Sequence, residues 1–278
     1  MLTGSTLRQH EEIAWRGGRA TLASRLVAEE TAVALSYNGS THAVMMATPA
    51  DLKDFGIGFT LTEGIVERAS EIRSIELIPS ELGVEVRMWL DGDRAAALAA
   101  RRRAISGPVG CGLCGIESLE QARRTPLRVA GGSAAFHATD LLAAMQALAP
   151  LQVLNRQTRS VHAAAFWHPH RGIGPVREDV GRHNALDKLA GALLGEGLSA
   201  CDGAVLLTSR VSVEMVQKAA MIGAPVLIAV SAPTTLAIRT AEEADITLLA
   251  VARDDGYGVF THPHRIVLPP FGTERGVA

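Results

Sequence analysis

From about residue 160 onward the chain alternates short apolar runs with helical stretches, and this feature most restricts its fold. Residues 161–167, 204–208, 226–230 and 246–251 read as buried strands, and residues 178–194, 213–222 and 235–244 read as helices. Strands that are apolar without alternation need cover on both faces, and intervening helices supply it. The pattern predicts an α/β lobe with a largely parallel sheet and a last edge strand over 257–266.

Upstream, 31–37 and 42–47 read as strands around the turn Asn38-Gly39-Ser40. Thr48-Pro49-Ala50-Asp51 has the chemistry of a helix start, with Thr48 as cap, and predicts a helix ending near Gly64. Residues 72–78 and 84–90 read as two more strands, followed by an alanine-rich helix over 93–103 and a threonine-capped helix over 139–148. Residues 1 to about 28 show weak periodicity and read as a loose arm. The expected organisation is an α+β lobe over 28–105, a mobile loop over 106–118 and an α/β lobe over 119–270.

Composition sets the function classes. The chain has 278 residues, 47% hydrophobic and 20% charged, with a formal net charge of -2. That is too apolar for disorder and not basic enough for a general nucleic-acid binder. No leader-like opening and no apolar run of about 18 residues is present, so a cytoplasmic protein away from the membrane is expected.

Three cysteines do not make a disulfide framework. Cys201 stands before a buried strand and reads as a packed thiol. Cys111 and Cys114 lie in Ser-Gly-Pro-Val-Gly-Cys-Gly-Leu-Cys-Gly, where four glycines and a proline in ten residues exclude regular structure. Four chemistries compete for this pair. Structural zinc needs further ligands at metal spacing, and only Cys201 and scattered histidines remain. A thioredoxin-like centre follows a strand directly and opens a helix, which this loop does not. A zinc deaminase places His-x-Glu before its cysteines, whereas His162-Ala163-Ala164 comes after them and lacks the glutamate. A persulfide carrier needs a reactive thiolate on a mobile loop. Arg101, Arg102 and Arg103 before the pair, with Arg123, Arg124 and Arg128 after it, favour the thiolate unless they only form a solvated face.

Three other clusters carry polar chemistry. The block from Arg177 to Lys188 is dense in charge, and on a helix it would align Asp179, His183 and Asp187. Gly181 and Asn184 are poor helix formers, which favours a site-lining role over a ladder of ion pairs. Ser209-Arg210-Val211-Ser212 and Val230-Ser231-Ala232-Pro233-Thr234 each follow a strand and open a helix. Capping by Ser212 and Thr234 would account for them, yet strand carboxyl ends also bind anions such as nucleotides. No Walker A or Gly-x-Gly-x-x-Gly motif is present.

Taken in order, these pieces resemble the formate dehydrogenase accessory sulfurtransferase family, FdhD. They are residues 58–64, Cys111-Gly112-Leu113-Cys114, His162-Ala163-Ala164-Ala165, the Arg177 to Leu189 block, Arg210 to Lys218, residues 230–234 and Thr261-His262-Pro263. The resemblance spans roughly residues 30 to 266. It implies a cytidine-deaminase-like C-terminal lobe without deaminase chemistry, beside a smaller α+β lobe, in a homodimer. It implies that sulfur arrives from a cysteine desulfurase as a persulfide on Cys111, assisted by Cys114. The sulfur then passes to the molybdenum (or tungsten) bis-molybdopterin guanine dinucleotide cofactor, as formate dehydrogenase requires. That cofactor enters as bound substrate, and a GDP-like nucleotide would mimic it. Its expected contacts are Val251, Ala252, Arg253, Asp254, Asp255 and Gly256, with His162, Arg182, His183, Arg210 and Ser231. No metal site of the protein's own is expected. Similar proteins carry a basic or glycine-rich turn where this chain has Asp254-Asp255, which repel phosphate and leave Arg253 and Gly256 to contact it. Two other functions stay open: a non-enzymatic cofactor chaperone and a dithiol/disulfide redox protein.

Overall fold

The computed structural model describes residues 5–94, 96, 98, 126–129 and 135–269. The expected helix over 93–103 falls mostly outside them, and the Cys111–Cys114 loop entirely so.

The N-terminal segment is not a loose arm. Strands β1 (Leu7–Arg16) and β2 (Arg19–Ala28) form an antiparallel hairpin. Gly17 and Gly18 turn it, at φ 55° and 78°, the left-handed pair that a two-residue turn requires. β3 (Thr31–Tyr37) and β4 (Ser40–Ala47) follow, turned by Asn38 and Gly39 at φ 50° and 80°. They join β5 (Ile72–Ser80) and β6 (Gly83–Leu90) in a four-stranded sheet of order β4-β3-β6-β5, in which β3 and β6 are parallel.

One face of this sheet buries Val33, Leu35, Val86 and Met88 against Leu52, Phe55 and Phe59 of helix α1 (Leu52–Thr62). Thr48 does not cap α1. The cap position is Asp51, at φ 52° with no side-chain cap bond, and Thr48 bonds into the other lobe instead.

The second sheet has six strands in the order β13-β12-β11-β10-β8-β9. These are β8 (His162–His168), β9 (Gly172–Asp179), β10 (Ala204–Leu207), β11 (Val226–Ala229), β12 (Thr247–Arg253) and β13 (Gly256–Val259). β9 to β12 all run one way, and only β8 and β13 oppose them. Helices α4 (Arg182–Gly195), α5 (Val213–Met221) and α6 (Thr235–Glu243) cover one face, with Leu186, Leu189, Met215, Val216 and Ala241 in the core. Helix α2 (Ala138–Leu148) covers the other through Leu141, Met145 and Leu148. The short helix α3 (Val153–Thr158) follows it. A two-stranded parallel pair, β7 (Phe136–His137) and β14 (Ile266–Val267), completes that side.

Three sequence expectations shift here. The predicted helix 178–194 starts only at Arg182, because β9 extends to Asp179. Asp179 therefore does not share a helix face with His183 and Asp187. The predicted strand 257–266 is broken, with a 3-10 turn at Pro263–Arg265 between β13 and β14. Cys201 is exposed, its sulfur 2.9 Å from Ser199 Oγ, because it sits in a short 3-10 turn that precedes β10 rather than in the core.

Helices α1 and α4 cross at backbone contact. A Cβ on Gly58 would lie 1.7 Å from the Asp187 carbonyl oxygen, and one on Gly191 would lie 2.0 Å from that of Asp54. Only glycine permits so close an approach, and it binds the two sheets through their helices.

Candidate functional site

Because β9 to β12 run together, their carboxyl ends and the helices after them open on one edge of the sheet. Such an edge is where α/β sheets bind ligands. His162 joins it as the first residue of the opposed strand β8, paired with Asp179. Arg182 and His183 begin α4, and Arg210 lies between β10 and α5. Ser231 lies between β11 and α6, and its carbonyl accepts from Val251 N–H. Val251, Ala252 and Arg253 end β12, Asp254 and Asp255 make the turn, and Gly256 begins β13. Every predicted binding residue among the described ones thus reaches one end of one sheet.

They do not reach the same side of it. A cavity of about 470 Å³ opens on the α2 face, walled by Met145, Leu148, Ala149, Gln152, Thr208 and Val230 together with residues 252–255. Val251 sits at φ 57°, a conformation uncommon for a β-branched residue, inside a bulge of β12. The bulge brings Ala252 onto the same face as Leu249. Arg253 donates to the carbonyls of Val230 and Ala252, which holds its guanidinium at the rim. Gln146 Nε2 donates to the Asp254 carbonyl at 2.9 Å and fixes the turn to α2. The result is an apolar slot with one cation and two carboxylates at its mouth.

His162 shares its strand parity with Ala164 and Phe166, which pack on the opposite, α4–α5–α6 face. There it joins Arg182, His183 and Arg210. Burial, then Arg182 and Arg210, push the His162 imidazole below its ordinary value. Burial, then Arg182 and Lys218, push His183 down to about 4. Both rings are therefore neutral near pH 7. His183 Nε2 lies 3.9 Å from Glu214, too far for a hydrogen bond. Among the described residues, Arg182 Nε and His183 Nε2 are shielded from solvent and lack a partner.

The remainder of the 177–188 block holds the fold. Asp179 is fully buried, 2.7 Å from Lys188 Nζ, and also accepts from Thr48 N, Gly181 N and Asn184 Nδ2. Asn184 also donates to the Met46 carbonyl across the lobe boundary. Arg177 pairs with Asp54 at 2.8 Å, and Glu178 accepts from Leu154 N and Asn155 N at the start of α3. Asp187 accepts from Lys218 Nζ and Thr62 Oγ1, and Lys218 also reaches Glu63. Burial works against the Lys218 charge, but Asp187 and Glu63 outweigh it and hold the ammonium above its ordinary value. Thr234 caps α6 through Ala237 N–H, whereas Ser212 makes no cap bond to α5.

Sequence reasoning did not find the α2 wall of the cavity, and it placed Glu214 on the helix after Arg210 without giving it a role. Met145, Leu148 and Ala149 look like an ordinary amphipathic stripe, and only the fold shows that its end overhangs β10 and β12. Among the described residues no group of three or more His, Cys, Asp or Glu could hold a metal ion. None of the described helices is long and apolar enough to cross a membrane.

Comparison with known proteins places this architecture. Residues 28–267 match the FdhD/NarQ family. A sulfur carrier protein FdhD from Agrobacterium fabrum is 53% identical over 264 residues, covering 95% of this chain and 97% of that protein. Another from Cupriavidus necator is 52% identical over 252 residues, covering 91% and 87%. A crystal structure from Desulfotalea psychrophila, assigned as a formate dehydrogenase accessory protein, superposes with a TM-score of 0.72 at 26% identity. It covers 95% of this chain and 100% of that one. Matched along nearly its whole length in sequence and in fold, the chain belongs to the FdhD/NarQ family.

Proposed function

We propose that this protein is a cytoplasmic sulfur carrier for the maturation of formate dehydrogenase. The observation that carries the reading is its end-to-end likeness to proteins named sulfur carriers, in a chain holding Cys111 and Cys114 three residues apart. The thiolate of Cys111 attacks the outer sulfur of a persulfide on a cysteine desulfurase. A new S–S bond forms on Cys111, the donor's S–S bond breaks, and the donor leaves as its thiolate. Cys114 assists by thiol exchange. The outer sulfur then bonds to the metal of the bis-molybdopterin guanine dinucleotide cofactor as sulfide. The metal supplies two electrons, and Cys111 returns to thiolate.

The cavity on the α2 face suits one nucleotide end of that cofactor. Its apolar walls match a base, and Arg253 at its rim matches a phosphate. A GDP-like nucleotide fits the same slot. The strand order, with one antiparallel strand set among β9 to β12, supports a deaminase-like C-terminal lobe beside the smaller α+β lobe, and the working molecule is a homodimer.

Cys111→Ala abolishes activation of formate dehydrogenase in cells lacking the native carrier, with an unchanged melting temperature. Full activity with that variant contradicts the role of Cys111.

A further inference from the structure

The cavity on the α2 face has one polar side chain in its wall that the fold buries. Gln152 stands between the 3-10 turn Ala149–Leu151 and α3, and it lines the cavity beside Leu148 and Ala149. The residue is only 8% exposed, whereas glutamine mostly lies in water. Its backbone is tied on both sides. The Gln152 N–H donates to the Ala149 carbonyl, and the Gln152 carbonyl accepts from Arg156 N–H. The side chain is therefore fixed in the wall by the turn that carries it.

Its polar neighbours are engaged with backbone. Gln146 Nε2 donates to the Asp254 carbonyl, Arg253 Nη1 to the carbonyls of Val230 and Ala252, and Thr208 Oγ1 accepts from Ala163 N–H. Gln152 differs. Its Oε1 accepts from Asn155 Nδ2 at 3.3 Å, which orients the amide, and its Nε2 makes no bond among the described residues. Nor is that nitrogen among the polar atoms closed off from solvent. The N–H pair of an otherwise buried amide thus opens into the cavity that the residue lines. Asn155 is itself anchored, since its backbone N–H donates to Glu178 of β9 at 2.9 Å.

A free glutamine amide offers a donor and an acceptor side by side, and it reads adenine through both. Here the acceptor is turned to Asn155, so the cavity receives the donor alone. A lone donor matches the 6-oxo group of guanine, which accepts. Adenine carries an amino group at that position, and two donors facing each other in an apolar wall would both go unpaired. We infer that Gln152 is the base-specificity residue of this cavity: its Nε2 donates to the 6-oxo group of a purine nucleotide, so the slot selects 6-oxopurines over 6-aminopurines. Asn155 is a positioning residue that acts through the Gln152 amide. The inference rests on the reading of the cavity as a nucleotide slot and adds the residue that chooses the base.

The test uses the full chain and titration calorimetry with GDP, IDP and ADP, which share the diphosphate and differ in the base. IDP keeps the 6-oxo group and lacks the 2-amino group of GDP. The expected result is that GDP and IDP bind alike and ADP at least about tenfold more weakly. Gln152→Glu puts an acceptor where the donor stood, and the ratio of GDP to ADP affinity inverts. Asn155→Asp turns the Gln152 amide round, because a carboxylate only accepts. It moves the ratio the same way, although residue 155 does not line the cavity. The ratio is taken within each variant, so a general loss of affinity cancels.

IDP binding as weakly as ADP to the wild-type chain overturns the assignment, and that comparison needs no variant to fold. An unchanged ratio of GDP to ADP affinity in folded Gln152→Glu overturns it as well. Ala149→Trp, which fills the slot, separates the inference from the reading beneath it. If Ala149→Trp weakens GDP binding while Gln152→Glu keeps the preference, the role of Gln152 alone is wrong. If GDP binding is unchanged in Ala149→Trp, the cavity is not the nucleotide slot and both fall.

Discussion

Asp179 and Lys188 show at single residues how this chain uses charge. Both side chains are completely buried, and four partners surround the carboxylate. Removing one member of such a pair leaves a charge in a medium that cannot solvate it, at a cost of about 3–5 kcal/mol. Lys188→Met is expected at the lower end of that range, because three N–H donors still reach Asp179. Urea unfolding measures it. His183 makes the opposite case, since folding keeps it neutral. Its value falls from an ordinary 6.5 to about 4, so the unfolded chain binds the proton more readily. The stabilisation is complete above about pH 6.5 and is lost as pH falls towards about 4. His183→Gln therefore flattens the fall in melting temperature across that window, and an unchanged slope contradicts an imidazole that folding keeps neutral.

At the scale of elements, the crossing of α1 and α4 ties the two sheets together. Adding a methyl group at Gly58 or Gly191 drives it into backbone that cannot move like a side chain. Overpacking of this kind costs about 1–3 kcal/mol or more. Gly191→Ala is expected to lower the denaturation midpoint clearly, while Gly195→Ala, with nothing near its Cβ, is neutral or mildly stabilising. Helix α2 matters differently, because its end forms the wall of the 470 Å³ cavity. Ala149→Trp fills that slot and weakens GDP binding at least tenfold by calorimetry with the fold intact. Undiminished binding moves the nucleotide elsewhere.

The elements also show which parts of the sequence were readable. The central strands were found because they are continuous apolar runs covered on both faces. β9 was missed because Gly172, Gly174 and Pro175 interrupt any apolar run, yet it is an edge strand, where proline is tolerated. The N-terminal hairpin was missed because Ile13, Trp15 and Leu22 face solvent at 73%, 74% and 86% exposure, so no buried face shaped its pattern. The pair Gly17-Gly18 between two ten-residue runs was its signal. Gly181 and Asn184 were read as signs of a ligand site. Asn184 instead crosses to the other lobe, and Gly181 makes room for it, since a Cβ there would lie 2.9 Å from Asn184 Nδ2.

Across the whole molecule, the parallel run of β9 to β12 gathers distant residues at one edge and the sheet then divides them. The motifs of the sequence singled out residues between 162 and 256 that the fold brings to one end of one sheet, but not that its two faces split them, because sidedness depends on strand parity and on the β12 bulge. The central claim is that this chain carries sulfur on its cysteine pair. Intact-mass analysis with peptide mapping, after incubation with an active cysteine desulfurase and cysteine, tests it most directly. The account predicts one added sulfur on Cys111 that a reductant removes. A chain that gains no sulfur while the desulfurase turns over contradicts it.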